Sequence, residues 1–282
     1  MNLIISSEAD TASINLRDRL LEMAEWEEDG SFDNRPMWSL TKDYGGFCVK
    51  GTRLITIEKL HIYAEEIDKD WEKKNKKKIH NIVFLSRHKA ASGRPSLTVH
   101  PIGNWGSAEY GGKEAEISGV APEWMTGLLL KIKENRIPGY DVCFEATHHG
   151  PLLEKPTMFL EIGSSESEWE DHEPARALIK SLLELEPAIG PNVVGIGGGH
   201  YTPRFTEAVF SHEVCFGHMI ANYGVEVLNS KLIQKAINLS KAEGIYFHRK
   251  GMKKSEYLKW KKWAEENNVR VYNQKDYEKR KL

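Results

Sequence analysis

Two short apolar runs, each leading into a dense group of polar residues, place the strongest constraint on the fold of this 282-residue chain. Residues 142–146 and 158–162 have the length and apolar content of buried strands. The first leads into Thr147-His148-His149-Gly150-Pro151; the second contains Glu161 and leads into Gly163, Ser164, Ser165, Glu166 and Glu168. If the strands are parallel or nearly so, these polar ends meet at one sheet edge, where α/β proteins place their sites. We therefore predict the active site there.

Strands and helices alternate along the rest of the chain, which predicts an α/β fold. We expect three layers, with a mixed sheet and helices on both of its faces. The expected strands are residues 3–6, 79–86, 97–99, 192–196 and 245–247, and the expected helices are 14–23, 122–137, 169–185 and 230–241.

Residues 1–282 are expected to form a single domain, with a basic, aromatic-rich C-terminal segment at 249–282. That segment holds twelve Lys or Arg residues and five Asp or Glu residues. A basic segment with interleaved aromatics can follow an RNA backbone and stack on bases. An amphipathic helix at 255–267, whose aromatics dock on the protein body, is the compatible structural alternative.

Composition excludes several classes of protein. The formal net charge of −2 indicates no global affinity for nucleic acid, so a basic surface must be local. No window approaches the roughly 18 apolar residues of a membrane span, and the N-terminus is typical of a strand rather than a signal peptide. Three cysteines without CxxC spacing argue against a disulfide framework. We expect a cytoplasmic protein that makes no membrane contact.

Histidines follow or end several of the expected strands. The candidates are His88, His100, the pair His148 and His149, His200 and, as a fifth position, His218; Glu145, Glu161 and Glu166 add oxygen ligands. Nitrogen and oxygen ligands suit zinc. The predicted ligands of one or two zinc ions are His88, His100, His148, Glu161 and His200. No HExxH motif is present, so the choice among these ligands stays open.

The predicted catalytic residues are His148, His149, Glu166 and Glu168, with one of the two glutamates as general base. Consecutive strand residues point to opposite faces, so we expect one histidine to act directly and the other to support it. Only the Gly150-Pro151 turn can bring both to one site.

Gly197, Gly198 and Gly199 follow a strand and precede His200 and Arg204. Glycines free the backbone to present N–H groups to an anion, so we expect this turn and Arg204 to bind phosphate or carboxylate. Asn104 and Arg87 complete the predicted substrate-binding set. A generic glycine turn is the alternative, because the pattern is neither a Walker A motif nor GxGxxG.

Several motifs together resemble D-aminoacyl-tRNA deacylases of the archaeal and plant type. They are Ser86-Arg87-His88, the pattern from Ser92 to Asn104, Ala146-Thr147-His148-His149-Gly150-Pro151, the pattern from Glu161 to Trp169, and the pattern from Gly195 to Arg204. The resemblance implies hydrolysis of the ester between a D-amino acid and the tRNA 3′ end. It also implies zinc as cofactor, a monomer, and a fold similar to nucleoside phosphorylases and bacterial peptidyl-tRNA hydrolase.

Two other functions remain open on the residues alone. A phosphorolytic nucleoside enzyme would use residues 197–204 to hold free phosphate. A non-enzymatic tRNA-binding protein would use the basic C-terminal segment, with histidines that are merely structural.

Overall fold

The structure is a computed structural model that describes residues 1–280. Its strands are β1 (Asn2–Ser7), β2 (Trp26–Phe32), β3 (Arg35–Leu40), β4 (Arg53–Ile57), β5 (Asn81–Arg87), β6 (Ser96–His100), β7 (Asp141–Phe144), β8 (Thr157–Gly163), β9 (Asn192–Ile196), β10 (Cys215–Ile220), β11 (Gly244–Phe247) and β12 (Arg270–Tyr272). Its α-helices are α1 (Thr11–Met23), α2 (Ile67–Asn75), α3 (Pro122–Asn135), α4 (Glu166–Glu170), α5 (His172–Leu183), α6 (Pro203–Ser211), α7 (Asn222–Val225), α8 (Ser230–Leu239) and α9 (Lys254–Glu266).

The larger sheet is mixed and has eight strands in the order β2-β3-β4-β1-β5-β8-β6-β7. Strands β4, β1, β5 and β8 are parallel neighbours, and β6 runs antiparallel to β8. The predicted α/β fold with a large mixed sheet is therefore confirmed. Within residues 1–280, no helix has both the length and the apolar character that crossing a membrane requires.

A second sheet, which the sequence did not indicate, contains four parallel strands in the order β10-β9-β11-β12. The segment at 249–282 contributes β12 and α9 to this part of the molecule; its last two residues lie outside the described residues. Trp260 and Ala264 of α9 are buried in the hydrophobic cluster on one face of the sheet. The predicted helix at 255–267 thus docks its apolar face on the body.

Residue alternation along the strands gives the larger sheet two apolar faces. Ile4 and Val83 pack in the cluster that also contains residues of α1, α3 and α5. Their neighbours Leu3 and Ile82 pack in the opposite cluster, with Trp71 of α2. Helices therefore cover both faces.

The cluster with α1, α3 and α5 also extends into the second sheet. Phe205 of α6, Phe216 of β10 and Tyr246 of β11 belong to it, and the rings of Phe205 and Phe216 stack with centroids 4.8 Å apart. A shared apolar core supports the prediction of a single domain, which stays a prediction.

The two apolar runs that organised the sequence prediction form β7 and β8, but they are not parallel neighbours. Strand β6 lies between them, parallel to β7 and antiparallel to β8. Their carboxyl ends consequently point in opposite directions, and the expected meeting of both ends at one edge is wrong. Glu161 lies within β8, in register with Thr98 of β6.

If the shared core makes the two sheets one cooperative unit, Phe205→Ala should destabilise the whole chain. Removing a buried Phe side chain costs about 3–5 kcal/mol, which in a protein of this size lowers Tm by roughly 10 °C. Leu258→Ala is the control, because that side chain is half exposed. Calorimetry should show a single unfolding transition that shifts to lower temperature as a whole. Two transitions, of which only one responds to Phe205→Ala, would contradict a single cooperative unit.

Candidate active site

Seven histidine and glutamate side chains from both sheets converge on one small region. His88 follows β5, His100 ends β6, and Glu161 lies in β8. Glu145, His148 and His149 follow β7, and His200 follows β9. The region is thus assembled from the ends of separate strands. All five predicted metal ligands are in it, together with the predicted catalytic residue His149.

Glu145 is the centre of this histidine–glutamate cluster and is fully buried. Its Oε2 accepts a hydrogen bond from His200 Nε2 at 2.8 Å and lies 3.7 Å from His148 Nε2. Its Oε1 lies 3.1 Å from His88 Nδ1, out of line for a hydrogen bond, so this oxygen has no hydrogen-bond partner among the described residues. One carboxylate therefore connects three histidines from three strands.

Glu161 makes the second set of ion pairs. Its two oxygens lie 3.5 Å from His88 Nδ1 and 3.5 Å from His100 Nε2. Burial lowers the pKa of both histidines, but Glu145 and Glu161 outweigh this effect; they raise the pKa of His88 to about 11 and raise that of His100. Burial likewise raises the pKa of both carboxyls, and the neighbouring histidines reverse the shift, so both pKa values are lowered. The result is two buried anions balanced by two imidazolium ions.

In three neighbouring histidines, a backbone carbonyl holds the same ring nitrogen, Nδ1. Nδ1–H donates to a backbone carbonyl in His100 (Pro101 O, 3.1 Å), His148 (Ala146 O, 2.8 Å) and His149 (Gly150 O, 2.6 Å). In a neutral ring, such as those of His148 and His149, Nε2 is then the acceptor atom. In His100, Nε2 faces Glu161 and is buried without a hydrogen-bond partner. Metal-ligating histidines show this arrangement, because the second nitrogen fixes the ring's orientation and tautomer.

His148 and His149 both face the cluster, contrary to the strand-alternation argument. Both residues lie beyond the end of β7 at Phe144, and His149 has a left-handed backbone with φ of 46°. Their ring centroids are 4.4 Å apart. Burial lowers the pKa of His149 to about 4, and burial followed by the charge of His100 lowers that of His148, so both rings are neutral near pH 7.

Three overlapping groups in this region are able to hold a metal ion, each with ligand atoms within 4.8 Å of one another. They are His100 with His148 and His149, Glu145 with His148 and His200, and His88 with Glu145 and Glu161. Neutral imidazoles and ionised carboxylates are the ligand forms that divalent cations require.

A cavity of about 440 Å³ opens onto the cluster. His148, His149, His200 and Tyr223 line it, with Thr147 and residues 103–107. Tyr223 is half exposed, and its hydroxyl donates to His200 Nδ1 at 3.2 Å. A substrate entering this cavity therefore meets the open side of three histidines.

Sequence reasoning missed the tyrosines and underrated Glu145. Tyr201 Oη accepts a hydrogen bond from His88 Nε2 at 2.9 Å. Its position directly after His200 was the only available signal, and Tyr223 had none. Glu145 appeared in the candidate ligand set, but its place inside an apolar run concealed its central role.

The structure gives the predicted bases Glu166 and Glu168 other surroundings. Glu168 accepts hydrogen bonds from the backbone N–H groups of Ser164 and Ser165 and from the Ser165 hydroxyl, which makes it part of a capping box for α4. Glu166 is exposed and forms no hydrogen bond or ion pair within residues 1–280. Neither carboxylate joins the metal-binding groups.

At two of the three glycines of the turn, the backbone N–H group is already hydrogen-bonded within the protein. These two N–H groups do not form the expected anion-binding turn. The Gly197 N–H donates to Ile220 O, and the Gly198 N–H donates to Gly251 O. Both residues have positive φ, and a Cβ on Gly198 would lie 2.5 Å from His248 Nδ1. Gly199 has open space at its Cβ position.

Arg204, Asn104 and Arg87 do not meet in one binding site. Arg204 lines a different cavity and donates to Gln274 Oε1 at 2.6 Å. Asn104 borders the 440 Å³ cavity, but its amide holds the backbone carbonyl of Gly111 at 2.8 Å. The Arg87 guanidinium lies over the Trp169 ring, 5.1 Å from its centroid.

His218 lies outside the cluster. Its Nδ1 accepts from the Thr147 hydroxyl at 3.1 Å, and its Nε2–H donates to Ser118 O at 3.0 Å. Both ring nitrogens are satisfied, which gives the ring a structural role beneath the residue that precedes His148.

Comparison with known proteins agrees with the resemblance seen in the motifs. A family model described as D-aminoacyl-tRNA deacylase matches residues 75–272. The D-aminoacyl-tRNA deacylase of Pyrococcus furiosus is 35% identical over 89% of this chain and 92% of its own length. That of Archaeoglobus fulgidus is 37% identical over 89% of this chain and 88% of its own length.

One curated relative is longer. The chain aligns over 97% of its length with the D-aminoacyl-tRNA deacylase of Methanococcoides burtonii at 35% identity, but spans only 57% of that protein. A crystal structure of a conserved protein of unknown function superposes with a TM-score of 0.89 at 33% identity, over 100% of this chain and 99% of the other.

The capping geometry predicts that Glu168→Ala affects stability and not chemistry. Loss of a helix N-terminal cap costs about 1 kcal/mol, so Tm should fall by a few degrees. Turnover should stay within about twofold of the unaltered protein. Glu166→Ala is the matched control and should change neither quantity. A fall in kcat of about 10²-fold for folded Glu168→Ala, the scale of a lost general base, would contradict the capping role.

Proposed function

The chain belongs to the D-aminoacyl-tRNA deacylase family, and from this membership we propose that it hydrolyses the ester bond between a D-amino acid and the 3′ end of tRNA. The products are the free D-amino acid and tRNA, so the reaction removes mischarged tRNA. The observation that carries this proposal is the histidine–glutamate cluster at the open cavity, inside the region that the family model matches. We also propose a monomeric, cytoplasmic enzyme.

We propose zinc as the cofactor, held by His100, His148 and His149. The donor set fits: three imidazoles, each with Nδ1 held by a backbone carbonyl, have ligand atoms within 4.8 Å of one another. His148 and His149 are neutral, and His100 would lose its proton when the metal binds. The buried and unpartnered Nε2 of His100 is explained by a ligand role. Zinc with three protein ligands and an open position acts as a Lewis acid towards a carbonyl oxygen.

The charge balance also favours a cation. Two buried carboxylates, Glu145 and Glu161, are balanced by protons on His88 and His100. A divalent cation supplies the same two positive charges, and its binding would release protons. Glu161 would then lie beside the ligand nitrogen of His100 as a neighbouring negative charge.

We propose His200 as general base in place of Glu166 or Glu168. Its Nε2–H donates to Glu145, which leaves Nδ1 as the basic atom at the cavity side, next to the Tyr223 hydroxyl. His200 Nδ1 takes a proton from the attacking water as the water oxygen bonds to the ester carbon. The same nitrogen returns the proton to the ribose oxygen when the ester C–O bond breaks. Glu145 stabilises the imidazolium that exists between these steps, as the buried acid of a catalytic triad does.

Separate roles for the histidines predict separable defects. His148→Ala should lose bound zinc as well as activity, because it removes a proposed ligand. His200→Gln should retain zinc and lose about 10²-fold or more in kcat, the scale expected for a lost general base. The assay is release of D-tyrosine from D-tyrosyl-tRNA, paired with elemental analysis of each purified variant.

His80→Ala is the control, because His80 is exposed and lies outside the cluster. Circular dichroism checks that each variant is folded. Near-normal turnover in folded His148→Ala and His200→Gln would refute the proposed site. Full zinc content in His148→Ala would remove that residue from the ligand set even if activity falls.

A further inference from the structure

A second polar cavity of about 540 Å³ lies at the carboxyl ends of β11 and β12 in the parallel sheet. Its polar lining consists of Arg204, His248, Arg249, Lys250, Asn273 and Gln274, and no acidic residue among positions 1–280 lines it. Aromatic residues of β11 and β12 form the remaining wall. Carboxyl ends of parallel strands are where α/β sheets bind ligands. The three cations make this basic cavity suited to an anion.

The cations of the basic cavity are only partly neutralised. Lys250 is exposed and forms no hydrogen bond or ion pair within residues 1–280. Arg204 donates one nitrogen to the neutral Gln274 and has its other terminal nitrogen 3.8 Å from the exposed Glu207. Arg249 lies over the Tyr257 ring, 5.4 Å from its centroid. Guanidinium and ammonium groups whose charge is not fully paired bind phosphate oxygens well.

The two tyrosines of the aromatic wall offer no open ring face on which a base could stack. Tyr246 and Tyr272 are 3% and 5% exposed. The Tyr272 ring stacks on Tyr277 with centroids 5.2 Å apart, and the Arg270 guanidinium lies 4.2 Å from its centroid. Stacking of nucleobases requires an open ring face. The chemistry of the basic cavity therefore favours a phosphate group over a nucleobase.

The basic cavity is close to the histidine–glutamate cluster along the chain. Arg204 follows His200 by four residues, which places their Cα atoms at most about 14 Å apart. One nucleic-acid strand advances about 3.4 Å per nucleotide along a duplex. A strand with its terminal ester at His200 therefore carries phosphates within reach of Arg204.

We propose that the basic cavity binds a backbone phosphodiester of the tRNA strand near the esterified 3′ end. This inference rests on the proposed function and adds a positioning contact outside the reaction centre. A phosphate contact carries no base sequence, so it suits an enzyme that acts on tRNAs of different sequence. Arg204, Lys250 and Arg249 would set the register of the strand that brings the ester to the cavity beside His200.

The kinetic test compares D-tyrosyl-tRNA with D-tyrosyl-adenosine, which carries the same ester and no phosphodiester. Lys250→Ala and Arg204→Lys should each lower kcat/KM for the tRNA substrate by about tenfold, the scale of one charge-assisted hydrogen bond. Activity on D-tyrosyl-adenosine should change by less than about twofold. Lys231→Ala is the control, because Lys231 is an exposed lysine of α8 outside the basic cavity. Equal losses on both substrates, or none, would overturn the inference.

A binding test separates this inference from the proposed function, because it needs no turnover. Fluorescence anisotropy measures the Kd of uncharged tRNA as salt is raised. Lys250→Ala should weaken binding and reduce the slope of log K against log salt by about one. If the unaltered protein binds tRNA and neither Lys250→Ala nor Arg204→Lys changes Kd or slope, the inference fails whatever the enzyme hydrolyses. Binding of inorganic phosphate that both variants abolish, with tRNA affinity unchanged, would identify a free-anion site and overturn it as well.

Discussion

The fully buried carboxylate of Glu145 is the interaction on which the arrangement of the site depends. A carboxylate removed from water costs several kcal/mol unless partners compensate it. Here the partners are His88 and His200, which follow β5 of the larger sheet and β9 of the second sheet. The need to compensate one buried charge thus joins strand ends from both sheets at a single point. Glu161 is likewise a buried carboxylate, and His88 and His100 compensate its charge.

The same electrostatics sorts the histidines by protonation state. His88 and His100 lie against carboxylates, and their pKa values are raised. His148 and His149 are half-buried beside His100, and desolvation together with the charge of His100 lowers their pKa values. A compact group of imidazoles therefore contains both charged and neutral rings at neutral pH. Neutral rings with one nitrogen fixed by a backbone carbonyl are ready to accept a metal ion.

Much of the cluster was predictable because histidine at the end of an apolar run is visible in sequence. His88, His100, His148, His149, Glu161 and His200 were all candidates, and the structure brings them together. Glu166 and Glu168 show the limit of that reasoning. An acidic residue after a strand is equally typical of a general base and of a helix cap, and only the hydrogen bonds to Glu168 distinguish the two roles.

The left-handed backbone of His149 and the position of β6 between β7 and β8 depend on contacts distant in sequence. Short apolar strands do not encode their neighbours, so the second sheet was not predictable.

The most direct measurement is a crystal structure of the zinc-loaded protein, with anomalous diffraction recorded on both sides of the zinc absorption edge. We predict a zinc peak within bonding distance of His100, His148 and His149, with His200 lining the cavity next to it. A strong zinc peak elsewhere, or none in this cluster at saturating zinc, would contradict the assignment of these histidines as the metal centre of the deacylase.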